Sequence, residues 1–450
     1  MDASTSSKLT QAIAKWIATS CRPVYVVEDE GLCDIIRIAS GDLTYELPSR
    51  ATVMSRIHEW YDTEKAKLAT NLENTTSIAL TGDYWTSLGN HSYLGVTAHF
   101  IDQEWKLHSH ALTVMRTDDR HTANACADHF MDVAGQWNIQ ERVSTLNTDS
   151  ARNMIAASKQ LPFEHLPCTA HSIQRSVTVS LQNSTFEGVL AKCRKVVGHF
   201  KHSPPNTAEL QKQQVAHGLK AETLAQDVPT RWNSTLEMIK RVQRNQEPLR
   251  DVLAQQKNNV TMPTKAELEK LQKLELLLEP CRYFTELLGG EKFVSCSVVL
   301  PALCHLSRVM ETSEDDPTYV IKFKQTFSAD MTTRKDKTNL TWLKISTALD
   351  PRSDEEEDGV ENCLARYRAE PVICKDECPL EWWSKHACVY NKIACLAQKY
   401  LATPATSVPC ERLFSLSGHV VQKKRAALSS GNVTKLVCLS SWLWSTKEKV

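Results

Sequence analysis

The sequence predicts an α+β protein in which one small sheet is assembled early and a long helical stretch interrupts the remainder of the chain. Three observations predict it. Short β-rich segments stand between Ser77 and Asp149, interrupted by one helical stretch. Apolar residues recur at helical spacing through most of the other segments. The 450 residues exceed what one core organises, since about 150 residues per domain implies roughly three units.

Taken in order, residues 1–70 read as a helical segment. Leu9, Ile13, Trp16 and Ile17 follow i, i+4, i+7, i+8 spacing, and Ile57, Trp60 and Tyr61 repeat it, so this segment is expected to dock on the core. From Ser77, IALTGD, YLGVTAHF and LHSHALTVM read as three antiparallel strands, with Asp102-Gln103 as a hairpin connection. His121 to Trp137 returns to helical spacing. VSTLNTD is a fourth strand, and Ser150 stands where it would cap the helix ARNMIAASK. The order β-β-β-α-β-α is that of a ribonuclease H-like sheet, and several other mixed α+β folds share it. The first part of this core is assigned to residues 71–235. Residues 236–350, with Leu268, Leu271, Leu274, Leu277 and Leu278, form an all-α insertion. The run Asp354 to Asp358 marks a solvated acidic joint over 351–378. Residues 379–450 close the chain with PLEWWSKHACVYNKIACLAQKYLA as one helix and NVTKLVCLSSWLW as a final amphipathic one.

Composition removes several classes. With 42% apolar and 24% charged residues, and only 14 Gly and 17 Pro, the chain is neither fibrous nor of low complexity. Lys plus Arg equals Asp plus Glu at 53 each, so attraction to nucleic acid must come from local patches. Two segments qualify, each with a net charge of +5. One is 191–220, with Lys192, Arg194, Lys195, Lys201, Lys212 and Lys220 against Glu209; the other is 401–450, with the cluster Lys423-Lys424-Arg425. Such patches suit salt-sensitive, sequence-indifferent contact with phosphate, and equally describe a solvated basic face. The Lys-Lys-Arg cluster also reads as a nuclear-import signal. The opening residues lack a secretory pattern and no apolar stretch is long enough to span a bilayer, so an intracellular protein with no membrane partner is expected. The 15 cysteines form no framework, and Cys/His pairs are not clustered as a zinc finger requires, so neither disulfides nor zinc are expected.

Two carboxylates end predicted strands, Asp83 in LTGDYWTS and Asp149 in LNTDSARNM. Brought together on adjacent strands, they would offer the hard oxygen ligands that Mg²⁺ prefers. Glu411, after Pro409 in ATSVPCERLFS, stands near a helix start, where the dipole favours an acid. Taken singly, each of the three also fits a capping or surface role.

The segments RPVYVVEDEGLCDII, YELPSR, GDYWTS, TDSARNM, CTAH, TRWNS, LDPR, PLEWW and SVPCERLFS, in this order, resemble those of hAT-superfamily transposases and the BED-finger-type nuclear proteins derived from them. The resemblance covers nearly the whole chain. It implies a ribonuclease H-like core interrupted by a helical insertion, and DNA cleavage and strand joining at an Asp-Asp-Glu site. Asp83, Asp149 and Glu411 match the three acids, which would hold two Mg²⁺ ions. Cys168 and His171 of CTAH match a Cys-x-x-His motif that supports target joining; the pair lacks the further ligands of a closed zinc site and also reads as local structure. Trp232, preceded by Arg231, matches a tryptophan that stacks on a flipped base, worth about 1–3 kcal/mol for an aromatic platform; a buried core Trp is the alternative. The resemblance further implies a C-terminal dimerisation region from about Pro379 to Trp444. There Leu396, Tyr400, Leu401, Leu436, Val437, Leu439, Trp442 and Leu443 supply apolar surface for a second copy or for packing within one subunit.

Three departures stand out. The chain begins with its helical segment where the family carries a BED zinc finger. Only SDEEEDGVENC separates Arg352 from Leu364, which shortens the insertion. Ser150 replaces the Asn that comes after the second aspartate in the family. The sequence therefore points to a domesticated or relict nuclear protein acting through dimerisation and weak or non-specific DNA association. The alternative is an active Asp-Asp-Glu transposase that cleaves and transfers strands with Mg²⁺.

Overall fold

The β-rich segments pair as strands of one sheet. In the computed structural model the described residues are 2–87, 89–228, 231–256, 259–290, 295–352, 363–421 and 429–447. Strands β1 (Ile78–Thr86), β2 (Ser92–Ile101) and β3 (Leu107–Thr117) run antiparallel; β4 (Val143–Thr148) joins β1 in parallel and β5 (Glu164–Pro167) joins β4 in parallel, giving the order β3-β2-β1-β4-β5. The sequence pattern does not announce β5. It is four residues long and ends in proline, too little for alternation to register.

Packing divides the chain into two units: Met1–Cys168 with Glu291–Ser297 and Thr341–Val450, and Thr169–Gly290 with Val298–Leu340. The sheet belongs to the first, together with α1 (Ala3–Thr19), α2 (Glu30–Ser40), α3 (Arg50–Glu73), α4 (Ala123–Gln136) and α5 (Arg152–Ser158). As expected, the amino-terminal helices share the sheet's core: Ile13 and Ile17 of α1 and Ile57 and Tyr61 of α3 are buried in the same cluster as Leu80, Val96 and Val114. Glycine sets how closely α4 approaches the sheet. A Cβ on Gly82 would stand 2.2 Å from Phe130 Cε1 of that helix.

The second unit is all helix: α6 (Thr169–Gln182), α7 (Phe186–Lys201), α8 (Pro204–Ala216), α9 (Ser234–Arg244), α10 (Gln246–Ala254), α11 (Lys265–Leu288), α12 (Val299–Val309) and α13 (Thr318–Lys335). This unit opens at Thr169, ahead of residue 236, where the insertion is expected to start. Helices α6 to α8 bury their apolar faces among other helices, and no composition break in the sequence announces the change. Helix α11 begins with a capping box, Thr264 accepting from Glu267 N and Glu267 accepting from Thr264 N. The basic patch of 191–220 is compensated in part: Lys192 pairs with Glu267 at 2.6 Å, Arg194 with Asp227 at 2.8 Å and with Glu187, and Lys212 with Glu209 at 3.1 Å.

The chain returns to the first unit through α14 (Leu340–Ala348), α15 (Cys363–Arg368), α16 (Pro379–His386), α17 (Asn391–Leu401), α18 (Val408–Val420) and α19 (Ser430–Lys447). Residues 354–358 of the acidic joint lie outside the described residues. The single helix read over 379–402 is two, α16 and α17, separated by a turn at 387–390. α19 is buried rather than amphipathic: Leu436, Val437, Leu439 and Trp442 enter the sheet's own core, as does Leu413 of α18. Leu401 enters a second cluster around Trp383. Packing within one subunit thus takes most of the apolar stripe read as dimer surface, while Leu396 stays 47% exposed. Among the described residues no helix is long and apolar enough to cross a membrane.

Candidate functional site

The parallel pairing of β1 with β4 positions the two aspartates. Thr81 stands opposite Asn147, and Asp83 and Asp149 each lie two residues further on; Asp149 directly follows β4, whereas Asp83 sits inside β1, which runs on to Thr86, so the expected strand-end position holds for Asp149 alone. Neighbouring strands are about 4.8 Å apart, so the carboxylates spring from adjacent backbone. Asp83 accepts from Tyr84 N at 2.8 Å and Asp149 from Ala151 N at 3.1 Å. This second bond corrects the expected cap: Asp149, not Ser150, turns the chain into α5, whose N-cap is Ala151.

Glu411 reaches this region because the segment around it is fastened across three strands. Pro404 O accepts from Asn147 Nδ2 of β4 at 3.2 Å. Cys410 Sγ is hydrogen-bonded to Thr81 Oγ1 of β1 at 3.0 Å and donates to Gly95 O of β2 at 3.5 Å. Gly95 is the register partner of Asp83, and a Cβ there would stand 2.7 Å from Phe414 Cε1, so α18 lies on the face that carries Asp83. Trp85 stacks on Phe414 at 5.9 Å. Glu411 itself occupies the first turn of α18, as expected. Carboxylates are the donors a divalent cation takes, yet among the described residues no group of three or more His, Cys, Asp or Glu side chains is placed where it could hold a metal ion.

A buried polar chain runs beneath this segment. Thr81 bonds to Thr97, and Thr97 to His99 Nε2 at 2.7 Å. Burial pushes the Cys410 thiol up to about 12 and the His99 imidazole down to about 3. His165, on β5, lies 2.9 Å from Thr148 Oγ1; burial lowers its pKa while the charges of Glu164 and Asp149 act in the opposite sense. Neither Cys410 nor His165 is among the residues that the sequence singles out. A Cys directly before Glu411 is the signal for the first, and none marks the second.

The remaining sequence-predicted residues divide between the units. Cys168 is buried at the end of the first, its Sγ accepting from Ser407 N at 3.3 Å and its N–H donating to Thr148 O at 2.8 Å. His171 lies on α6 of the second, where its ring meets Trp232 edge-on, centroids 5.0 Å apart and planes at 85°. Trp232 is half-buried and Arg231 exposed, so this indole is not a fully enclosed core residue. The turn presenting it is fixed by Asn233 in the left-handed region (φ +60°) and by Ser234 Oγ, which accepts from Val228 N at 3.0 Å. Lys423, Lys424 and Arg425 lie outside the described residues.

The LDPR and PLEWW segments meet as structure. Asp350 accepts from Arg352 Nε at 2.9 Å and Nη2 at 2.6 Å, and from Ser297 Oγ at 2.6 Å; Trp383 Nε1 donates to Leu349 O at 2.9 Å.

Comparison with known proteins matches residues 81–176 to the ZBED1 RNase-like domain, 166–276 to the ZBED1 RNase-like helical domain and 363–443 to the hAT family C-terminal dimerisation region. A maize protein named for the AC transposase is 23% identical over 95% of this chain and 64% of its own length. Human zinc finger BED domain-containing protein 6 is 28% identical over 52% of this chain and 26% of its own length. Rice zinc finger BED domain-containing protein RICESLEEPER 3 is 22% identical over 50% and 32% respectively. The chain thus spans 64% of the length of the maize relative.

Proposed function

From a chain that belongs to the hAT transposase-derived proteins, we propose a nuclear protein, domesticated or relict in its transposition chemistry, that acts by self-association and by weak, non-specific association with DNA. The observation that carries this reading is the match of residues 363–443 to the hAT dimerisation region. Because α18 and α19 spend their apolar side chains on the subunit's own core, self-association would use outward faces of this region. DNA association would draw on Trp232 and Arg231, with His171 edge-on to the indole, and on Lys423, Lys424 and Arg425, whereas the buried Cys168 is left a structural role. Sedimentation velocity tests the first part, and a monomer at micromolar concentration overturns it. Titration of labelled duplex at rising salt tests the second; affinity that does not fall as salt rises would contradict phosphate-led contact.

A second reading, an active Asp-Asp-Glu transposase, is supported by the pairing of β1, which carries Asp83 on the face covered by α18, with β4, which leads into Asp149. There Asp83, Asp149 and Glu411 would hold Mg²⁺, which when bound stabilises charge on attacking and leaving oxygens. The protein's own part would be to bring the three carboxylates together, with α18 fixed through Cys410. Plasmid excision with and without Mg²⁺, using Asp83→Asn as control, separates the readings: metal-dependent cleavage abolished by the substitution establishes the second.

A further inference from the structure

Helix α2 is well made at both ends yet adds nothing to the core. Asp29 caps its start, accepting from Leu32 N at 3.3 Å, Glu30 sits in its first turn, and Gly41 closes it in the left-handed conformation at φ +68°. None of its residues is buried. Leu32 and Ile36 are half-buried, while two apolar side chains face outward: Ile35 is 64% and Ile38 74% exposed, with Leu43 at 75% just beyond the helix and Tyr25 at 49% in the preceding turn. Ile35 and Ile38 are three residues apart and share one side of the helix. Polar contacts anchor the segment, Arg37 Nε donating to Tyr45 O at 3.1 Å and Arg50 pairing with Glu28. A ridge of this kind marks an interaction surface.

The charge around it selects the occupant. Residues 24–46 hold Glu28, Asp29, Glu30, Asp34, Asp42 and Glu46 against Arg37, a net of −5 in a chain whose total is zero. Arg37 reaches Asp34 at 3.7 Å and Arg50, just outside this stretch, pairs with Glu28, and the excess remains acidic. Phosphate, whether of nucleic acid or of an anionic lipid surface, is repelled by such a rim. A two-fold contact between copies would set acid against acid, because an isologous interface repeats the same patch on both sides. We propose that the α2 ridge docks a basic amphipathic helix of a partner protein, its apolar side chains on Ile35, Ile38 and Leu43 and its Lys or Arg residues against the acidic rim.

The test uses the full chain and a fluorescein-labelled 14-residue Leu/Lys amphipathic peptide, with a Leu/Glu peptide of the same pattern as control, read by anisotropy at 0.15 M salt. Micromolar binding of the Lys peptide is expected, at least tenfold weaker for Ile35→Ser/Ile38→Ser and for Leu43→Ser, with circular dichroism and melting unchanged. Equal binding of the Leu/Glu peptide, or retained affinity in both variants, overturns the proposal. So does preferential binding of duplex DNA that the same substitutions weaken. Loss of a self-associated species in these variants on sedimentation would make a second copy the occupant and overturn it as well.

Discussion

Removing the Arg352 side chain is expected to destabilise the sheet-bearing unit by about 3–5 kcal/mol. The Asp350 side chain is 5% and that of Arg352 15% accessible, and the guanidinium grips both carboxylate oxygens, at 2.9 and 2.6 Å. An exposed ion pair of this kind would contribute only about 0–1 kcal/mol. Here Arg352→Ala leaves a carboxylate buried with only Ser297 Oγ and the backbone N–H of residue 352 as donors, and breaking a buried pair costs about 3–5 kcal/mol. Trp383 reports the event, since its indole donates to Leu349 O and stacks on Trp105 at 5.6 Å. Urea unfolding followed by tryptophan fluorescence, with a slope of about 1–3 kcal/mol per molar, should shift its midpoint down by at least about 1 M. Asp350→Asn combined with Arg352→Ala should recover part of that loss, because no uncompensated charge remains. A midpoint within about 0.3 M of the parent for Arg352→Ala would refute the view that this pair holds LDPR against its neighbours.

Other contacts give further expected outcomes. His99 is neutral when folded, with its pKa held at about 3 against an ordinary value of 6.5, so the unfolded chain binds the extra proton below about pH 6.5. Stability should therefore fall by about 1.4 kcal/mol per pH unit between about 6.5 and 3 from this group alone, and His99→Gln should flatten that part of the curve in acid titrations of melting temperature. Gly82→Ala should cost about 1–3 kcal/mol by overpacking against Phe130, and Phe130→Leu should relieve it in thermal melts of the double variant. Trp442→Phe removes the 2.8 Å bond to Ala111 O while keeping most of the ring, and should cost about 1 kcal/mol together with faster amide exchange along β3.

How much of the molecule is legible in the sequence depends on the range of the forces involved. β1 to β4 are readable because β-branched and aromatic residues gather in short runs between turn signals, even though both faces are covered and β2 is buried at nine consecutive positions, and Asp83 and Asp149 come with them. Ser150 reads as a cap because both it and Asp149 are able to bond a following N–H, and only geometry chooses. The compensation of Lys192 and Arg194 by Glu267 and Asp227 joins residues 75 and 33 apart, which no local charge count anticipates. The burial of α19 depends on β3 and α3, and a stripe of Leu, Val and Trp looks the same whether it meets its own sheet or another subunit. For the candidate site, the positions of Asp83, Asp149 and Glu411 on their elements are legible, whereas the fastening through Cys410, Asn147 and Gly95 needs three dimensions.

The discontinuity of the sheet-bearing unit sets a schedule for its birth on the ribosome. Its strands emerge by residue 167, but α18, which bonds β1 and β2, and α19, which bonds β3, start at 408 and 430. Synthesising 169–407 occupies about 10–50 s at about 5–20 residues per second. For that interval the nascent strands lack the helices that complete their core, so chaperone engagement before chain termination is built into the order of the polypeptide.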